Sequence, residues 1–109
     1  MKIAIVGSRD LVISDIGKYI PECDEIVSGG AIGVDRCAEK YCIENGVKLT
    51  LFLPEYELYG RSAPIIRNKK IVDYADRVVV LWNGRSKGSL SVIKYAEKIG
   101  KECKVILFE

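Results

Sequence analysis

Apolar positions along this chain come in short blocks, separated by polar stretches with helical spacing. Ile3-Ala4-Ile5-Val6 is an unbroken apolar run behind Lys2, closed by Gly7. A strand-length run that is apolar on both faces fits a central strand of a parallel sheet. Val78-Val79-Val80-Leu81, inside a strand predicted over Arg77–Trp82, has the same character. Three further strands are predicted: Glu25–Val27, Val47–Leu53 stopped by Pro54, and Lys104–Phe108.

Helical spacing fills the intervals. Leu11–Ile20 reads as a short helix with Val12, Ile13, Ile16 and Ile20 inward and Pro21 closing it. A second helix runs from about Ile32 to Glu44, with Ile32, Cys37, Ala38, Tyr41 and Cys42 near helical spacing. Asn45-Gly46 ends it in the left-handed manner. Pro64 suits the first turn of a third helix reaching Tyr74. A fourth spans about Ser89–Ile99 and stops at Gly100, with Lys98 and Lys101 near its negative end. Between them, Glu55–Ala63 has no clear period and reads as a loop over the sheet edge, a candidate lid.

Strands alternating with helices imply right-handed crossovers and a parallel sheet covered on both faces. The expectation is one three-layer α/β/α domain of Rossmann-like type, spanning residues 1–109, with five parallel strands in the order 3-2-1-4-5. In that order the winding reverses between strands one and four, which opens a crevice at their C-terminal ends.

Composition narrows the chemistry. Net charge is +2, from 17 Lys+Arg against 15 Asp+Glu, too balanced for bulk charge to suggest nucleic acid. No apolar stretch reaches membrane-spanning length, so no membrane partner is expected. The first strand follows directly on Met1 without a signal-peptide layout, which leads us to expect a cytoplasmic protein. Cys23, Cys37, Cys42 and Cys103 form no C-x-x-C pair, and there is no histidine. Zinc is therefore not expected, and the cysteines read as small buried hydrophobes. Ser-His-Asp and Cys-His catalysis drop out for the same reason.

Three loops would follow three adjacent strands on one edge: Gly7-Ser8-Arg9, Ser28-Gly29-Gly30-Ala31 and Ser86-Lys87-Gly88-Ser89. Neighbouring strands lie about 4.8 Å apart, so these loops should meet. They bring backbone amides, hydroxyls and cations, as a phosphate requires. The second loop has three glycines in five residues, with Gly33 the last, and it opens a helix. Arg67 and Asn68, on the third helix, are placed to point back at the crevice, the Arg as a bidentate phosphate or carboxylate clamp. Lys69 and Lys70 beside them read as a solvated face. Asp35, in the first turn of the second helix, admits three roles: stabilising the helix start, accepting a ribose hydroxyl, or anchoring a nearby Arg. Trp82, Tyr56 and Tyr59 are candidates to stack on a base, with core-edge packing the plainer reading of Trp82.

Five motifs in order carry a family resemblance. They are Gly7-Ser8-Arg9, Ser28-Gly29-Gly30-Ala31-x-Gly33-x-Asp35-x-x-Ala38, Gly60-Arg61-x-Ala63-x-x-x-Arg67-Asn68, Ala75-Asp76-x-Val78 and Ser86-Lys87-Gly88-Ser89. Together they resemble the SLOG superfamily, in particular its small YspA-like branch. That superfamily joins the DNA-processing protein DprA (Smf) to the LOG-type nucleotide phosphoribohydrolases.

The resemblance implies a Rossmann-like fold and a nucleotide, nucleotide-sugar or ADP-ribose-like ligand held by phosphate loops. It implies no required cofactor beyond such a bound nucleotide or phosphate. The LOG-type pattern G-G-x-G-T-x-x-E supplies a catalytic Glu, aided by a helix-borne Arg. Here Ser89 stands at the Thr position and Val92 at the Glu position, while Arg67 matches the Arg. The residues thus favour a binding or sensing module over an N-glycosidic hydrolase. For hydrolysis, Arg67 and Asp35 are the candidate catalytic side chains, with Asp10 a further carboxylate. A DprA-like single-stranded DNA module is the third reading, and the chain lacks the basic bias and aromatics it would need. Small size and the resemblance together lead us to expect a homo-oligomer.

Overall fold

A computed structural model describes residues 1–108. Its five strands are β1 (Lys2–Gly7), β2 (Glu25–Ser28), β3 (Lys48–Leu51), β4 (Arg77–Trp82) and β5 (Cys103–Leu107). All pair in parallel, in the order β3-β2-β1-β4-β5. The expected strand order is therefore the observed one. β1 is paired on both sides, with Ala4 opposite Val27 of β2 and Val78 of β4. Ile3, Ala4 and Ile5 are wholly buried, as are Val80 and Leu81. Each of the Ile, Val and Leu side chains contributes roughly 1.5–3 kcal/mol when fully buried, which is why these two runs take the centre.

Helices cover both faces. Helix α1 (Val34–Asn45) packs with Ile3, Ile5, Ile26, Val79 and Leu81 on one face. On the other, α3 (Ala63–Tyr74) and α4 (Lys87–Ile99) pack over Ala4, Val6, Val27, Val78 and Val80. Helices α1 and α4 end at Gly46 and Gly100 in the left-handed conformation, where a side chain would be strained. Cys42 is buried, and burial pushes its thiol up to about 11. Cys23, Cys37 and Cys103 are only half-buried, less than expected, and all four are free.

Two segments differ from the sequence reading. Leu11–Ile20 is not a helix; only Ile16–Tyr19 forms one turn of 3-10 helix. Ser14, Asp15 and Gly17 are poor helix formers, and β-branched Val12 and Ile13 add little. Val12 is exposed, while Ile13 and Ile16 still reach the core. Conversely, Glu55–Ala63 is largely helical: a four-residue α2 (Tyr56–Tyr59), then a 3-10 turn (Gly60–Ser62) running into α3. The Glu55 carbonyl accepts from the amides of Leu58 and Tyr59. Residues 55–62 are all exposed, so no apolar period marks them. Smaller shifts occur at helix starts. Helix α1 begins at Val34, which leaves Ile32 exposed in the loop before it, and α4 begins at Lys87.

Candidate functional site

At the C-terminal ends of β1, β2 and β4 the structure encloses a cavity of about 350 Å3. Gly7, Arg9 and Asp10 border it from the end of β1, and Gly29, Ala31 and Asp35 from the β2–α1 turn. Pro64, Arg67 and Asn68 face it from α3; Asn83, Ser86, Gly88 and Ser89 enter from the β4–α4 turn. Val6, Ile71 and Val92 add apolar lining. The three loops read from the sequence therefore share one site, with Arg67 and Asn68 over it. Val92 is a buried part of that wall.

Five expected site residues, Ser8, Ser28, Gly30, Gly33 and Lys87, stay out of the cavity lining. Ser8 is fully buried and ties three segments together. Its hydroxyl accepts from the Asn83 amide (3.0 Å), its amide donates to the Leu81 carbonyl (3.1 Å), and its own carbonyl accepts from Val34 (3.3 Å). Ser28 is buried in β2, away from the cavity. Gly30 has φ +72°, and a Cβ there would meet Leu53. Gly33 precedes α1 with φ +75°, and a Cβ would lie 2.4 Å from the Arg9 carbonyl oxygen. Lys87 is exposed at the first position of α4. The aromatic candidates are also elsewhere. Tyr56 and Tyr59 are exposed outside the cavity, and residues 55–62 do not border it, so the expected lid is not in place. The Trp82 indole N–H donates to the Ser86 carbonyl (3.0 Å), which holds the β4–α4 turn.

Gly29 sits between two charged side chains. Arg67 is about nine-tenths buried; its Nη1 donates to the Gly29 carbonyl (2.7 Å) and its Nε to Asn68 Oδ1 (2.8 Å). A Cβ on Gly29 would stand 2.6 Å from Arg67 Nη1 and 3.1 Å from Asp35 Oδ2. Gly29→Ala should therefore lower stability by about 2 kcal/mol or more, since two buried charges would have to move. Urea denaturation checks this, and an unchanged midpoint would contradict it.

Asp35 is buried; its Oδ2 accepts from the Ala31 amide (3.2 Å), and the Gly29 amide gives the charge a weaker hold. Its Oδ1 is buried with no partner. Burial raises the Asp35 pKa to about 6, against the opposing pull of the Ala31 amide and the Arg67 charge. Glu25 makes the contrast. That carboxylate is also buried, but it accepts from Tyr74 (2.6 Å) and Thr50 (2.7 Å) and pairs with Lys48 (3.4 Å). Glu25 is satisfied within the fold, and Asp35 is not.

The β4–α4 turn is held by its own side chains. Asn83 Oδ1 accepts from the amides of Arg85 (2.8 Å) and Ser86 (2.9 Å), and Ser86 Oγ caps α4 through the Ser89 amide (3.3 Å). The first helical amides, those of Lys87 and Gly88, have no intrahelical acceptor. No acidic residue stands in this first turn, whereas Asp35 stands in that of α1. Ser89 Oγ is buried without a partner on the cavity wall.

Asp10 and Asn83 belong to the lining but were not among the expected ligand contacts. Asn83 Nδ2 donates to Asp10 Oδ1 (2.8 Å), and Asp10 also faces Arg85 at 3.8 Å. The polar run beginning at Asn83 was the available signal.

Among the described residues no three His, Cys, Asp or Glu side chains gather as a metal site, and no helix is long and apolar enough to cross a membrane. Comparison with known proteins gives no matching family model, no matching curated protein and no matching solved structure.

Proposed function

We propose that this chain binds a small phosphorylated ligand of nucleotide type, with the phosphate against the N-terminus of α4. One observation carries the reading: at Gly88 and Ser89 a helix start, an unpartnered buried hydroxyl and open space meet on the cavity wall. A Cβ on Gly88 would find only Ser86 Oγ, at 3.9 Å. The missing side chain leaves the backbone amides reachable, and the helix end supplies partial positive charge. Arg9 and Arg67 add cations on the same cavity. The SLOG-like motifs support the same class of ligand, a nucleotide or nucleotide sugar. With Val92 where that family's hydrolases carry glutamate, the reading is of a binding or sensing module.

Titration with adenosine monophosphate and with inorganic phosphate tests this by amide NMR. Both should shift the Gly88 and Ser89 signals and raise Tm at saturation. Absence of any shift in residues 86–89 overturns the proposal. Incubation with the mononucleotide should return it intact; released base would establish hydrolysis instead.

A further inference from the structure

Resting on the phosphate reading above, we infer that Asp35 is a specificity residue: its carboxylate accepts a hydroxyl of the bound ligand, so the site selects a phosphorylated sugar over a bare phosphate. The two ends of the cavity offer different partners. The first turn of α4 has free amides and no acid of its own, with Asp10 held beside it by Asn83, while the start of α1 carries the Asp35 carboxylate near the Arg67 guanidinium. Free amides suit a phosphate, and a carboxylate suits a group that donates a proton.

The carboxylate has unspent capacity. An ionised carboxylate offers about four acceptor positions, and within the protein Asp35 meets the Ala31 amide at 3.2 Å and, more weakly, the Gly29 amide. Its other oxygen is buried with no partner, although the side chain borders the cavity. Arg67 does not fill this role. Its Nη1 and Nε are committed to Gly29, Phe52 and Asn68, and no ion pair forms with Asp35 within 4.0 Å. A hydroxyl fits better than a second phosphate, because it donates a proton and brings no negative charge. A molecule that joins the two ends therefore carries a phosphate at one and a hydroxyl at the other.

Three probes measured by calorimetry decide the matter: inorganic phosphate, methyl phosphate and ribose 5-phosphate. On the unaltered protein, ribose 5-phosphate should bind about 10-fold or more tighter than methyl phosphate, as a hydrogen bond to a charged acceptor would give. Asp35→Asn replaces the charged acceptor with a neutral amide, whose hydrogen bond to a hydroxyl is worth less. It should largely remove that preference while methyl phosphate binds as well as before or better, because a negative charge is gone. Retained methyl phosphate binding also shows that the variant is folded. Equal binding of ribose 5-phosphate and methyl phosphate to the unaltered protein, or a preference that survives Asp35→Asn, overturns the inference and leaves the phosphate reading standing. Failure of all three probes overturns both.

Discussion

Gly88→Ala should weaken phosphate binding by at least ~10-fold without lowering stability. The reason lies in how the glycines at this edge differ. A Cβ on Gly7 would fall 2.3 Å from the Leu81 carbonyl oxygen, so β1 and β4 can only pair closely there without one. Gly29 admits the Arg67 guanidinium, and Gly33 holds a positive φ against Arg9. Each of these is needed by the fold. Gly88 has neither a crowded Cβ position nor a positive φ. It lies within the first turn of α4, where alanine is the better helix former by up to about 1 kcal/mol. A methyl group there would occupy the space from which a phosphate meets the amides. Paired titration and thermal melts of the variant read both effects. A variant that binds phosphate unchanged would place the anion elsewhere in the cavity. A large drop in Tm would reveal a packing role that the surroundings of Gly88 do not suggest.

The sheet was legible because burial on both faces leaves a signature in sequence. Ile3–Val6 and Val78–Leu81 lack polar residues since both of their faces meet helices. Topology then carried the site, because strands that run parallel end on one edge, and three polar turns followed three neighbouring strands. What sequence could not resolve was which polar atoms the fold consumes. Ser8 looks like a phosphate-loop serine, yet its hydroxyl, amide and carbonyl serve contacts to Asn83, β4 and α1. Gly30 and Gly33 look like ligand-approach glycines but answer to backbone conformation and to neighbours. Asn83 and Asp10 meet because β1 and β4 are adjacent; the strand order was readable, but which side chains would bond across it was not. Leu11–Ile20 misled for the opposite reason. Its apolar residues fit a helix, but an irregular stretch buries Ile13 and a single 3-10 turn buries Ile16.

Arg67→Met should cost about 2–4 kcal/mol, a fall in Tm on the order of 10 °C for a domain of this size. The side chain is buried, and its loss strips a hydrogen bond from the Gly29 carbonyl and from Asn68. It also leaves Asp35 without the cation that opposes the effect of burial. That second part is separable by pH. The folded-state pKa of Asp35, about 6, lies above its ordinary value of 3.8, so the native state holds this proton where the unfolded chain has released it. The associated stability is present in full below about pH 4 and is lost as pH rises past 6. At pH 7.5, then, Asp35→Asn alone should stabilise the protein by on the order of 1–3 kcal/mol, and at pH 4 by little or nothing. In the Arg67→Met background the gain at pH 7.5 should be larger, because the charge removed has lost its only cationic neighbour among the causes that lower its pKa. Urea unfolding of the four proteins at both pH values measures this coupling. If Asp35→Asn destabilises at pH 7.5, the carboxylate is held by the fold in the way Glu25 is. If it stabilises, the fold tolerates an under-satisfied charge at the cavity wall, which is the condition expected of a group kept for a ligand rather than for folding.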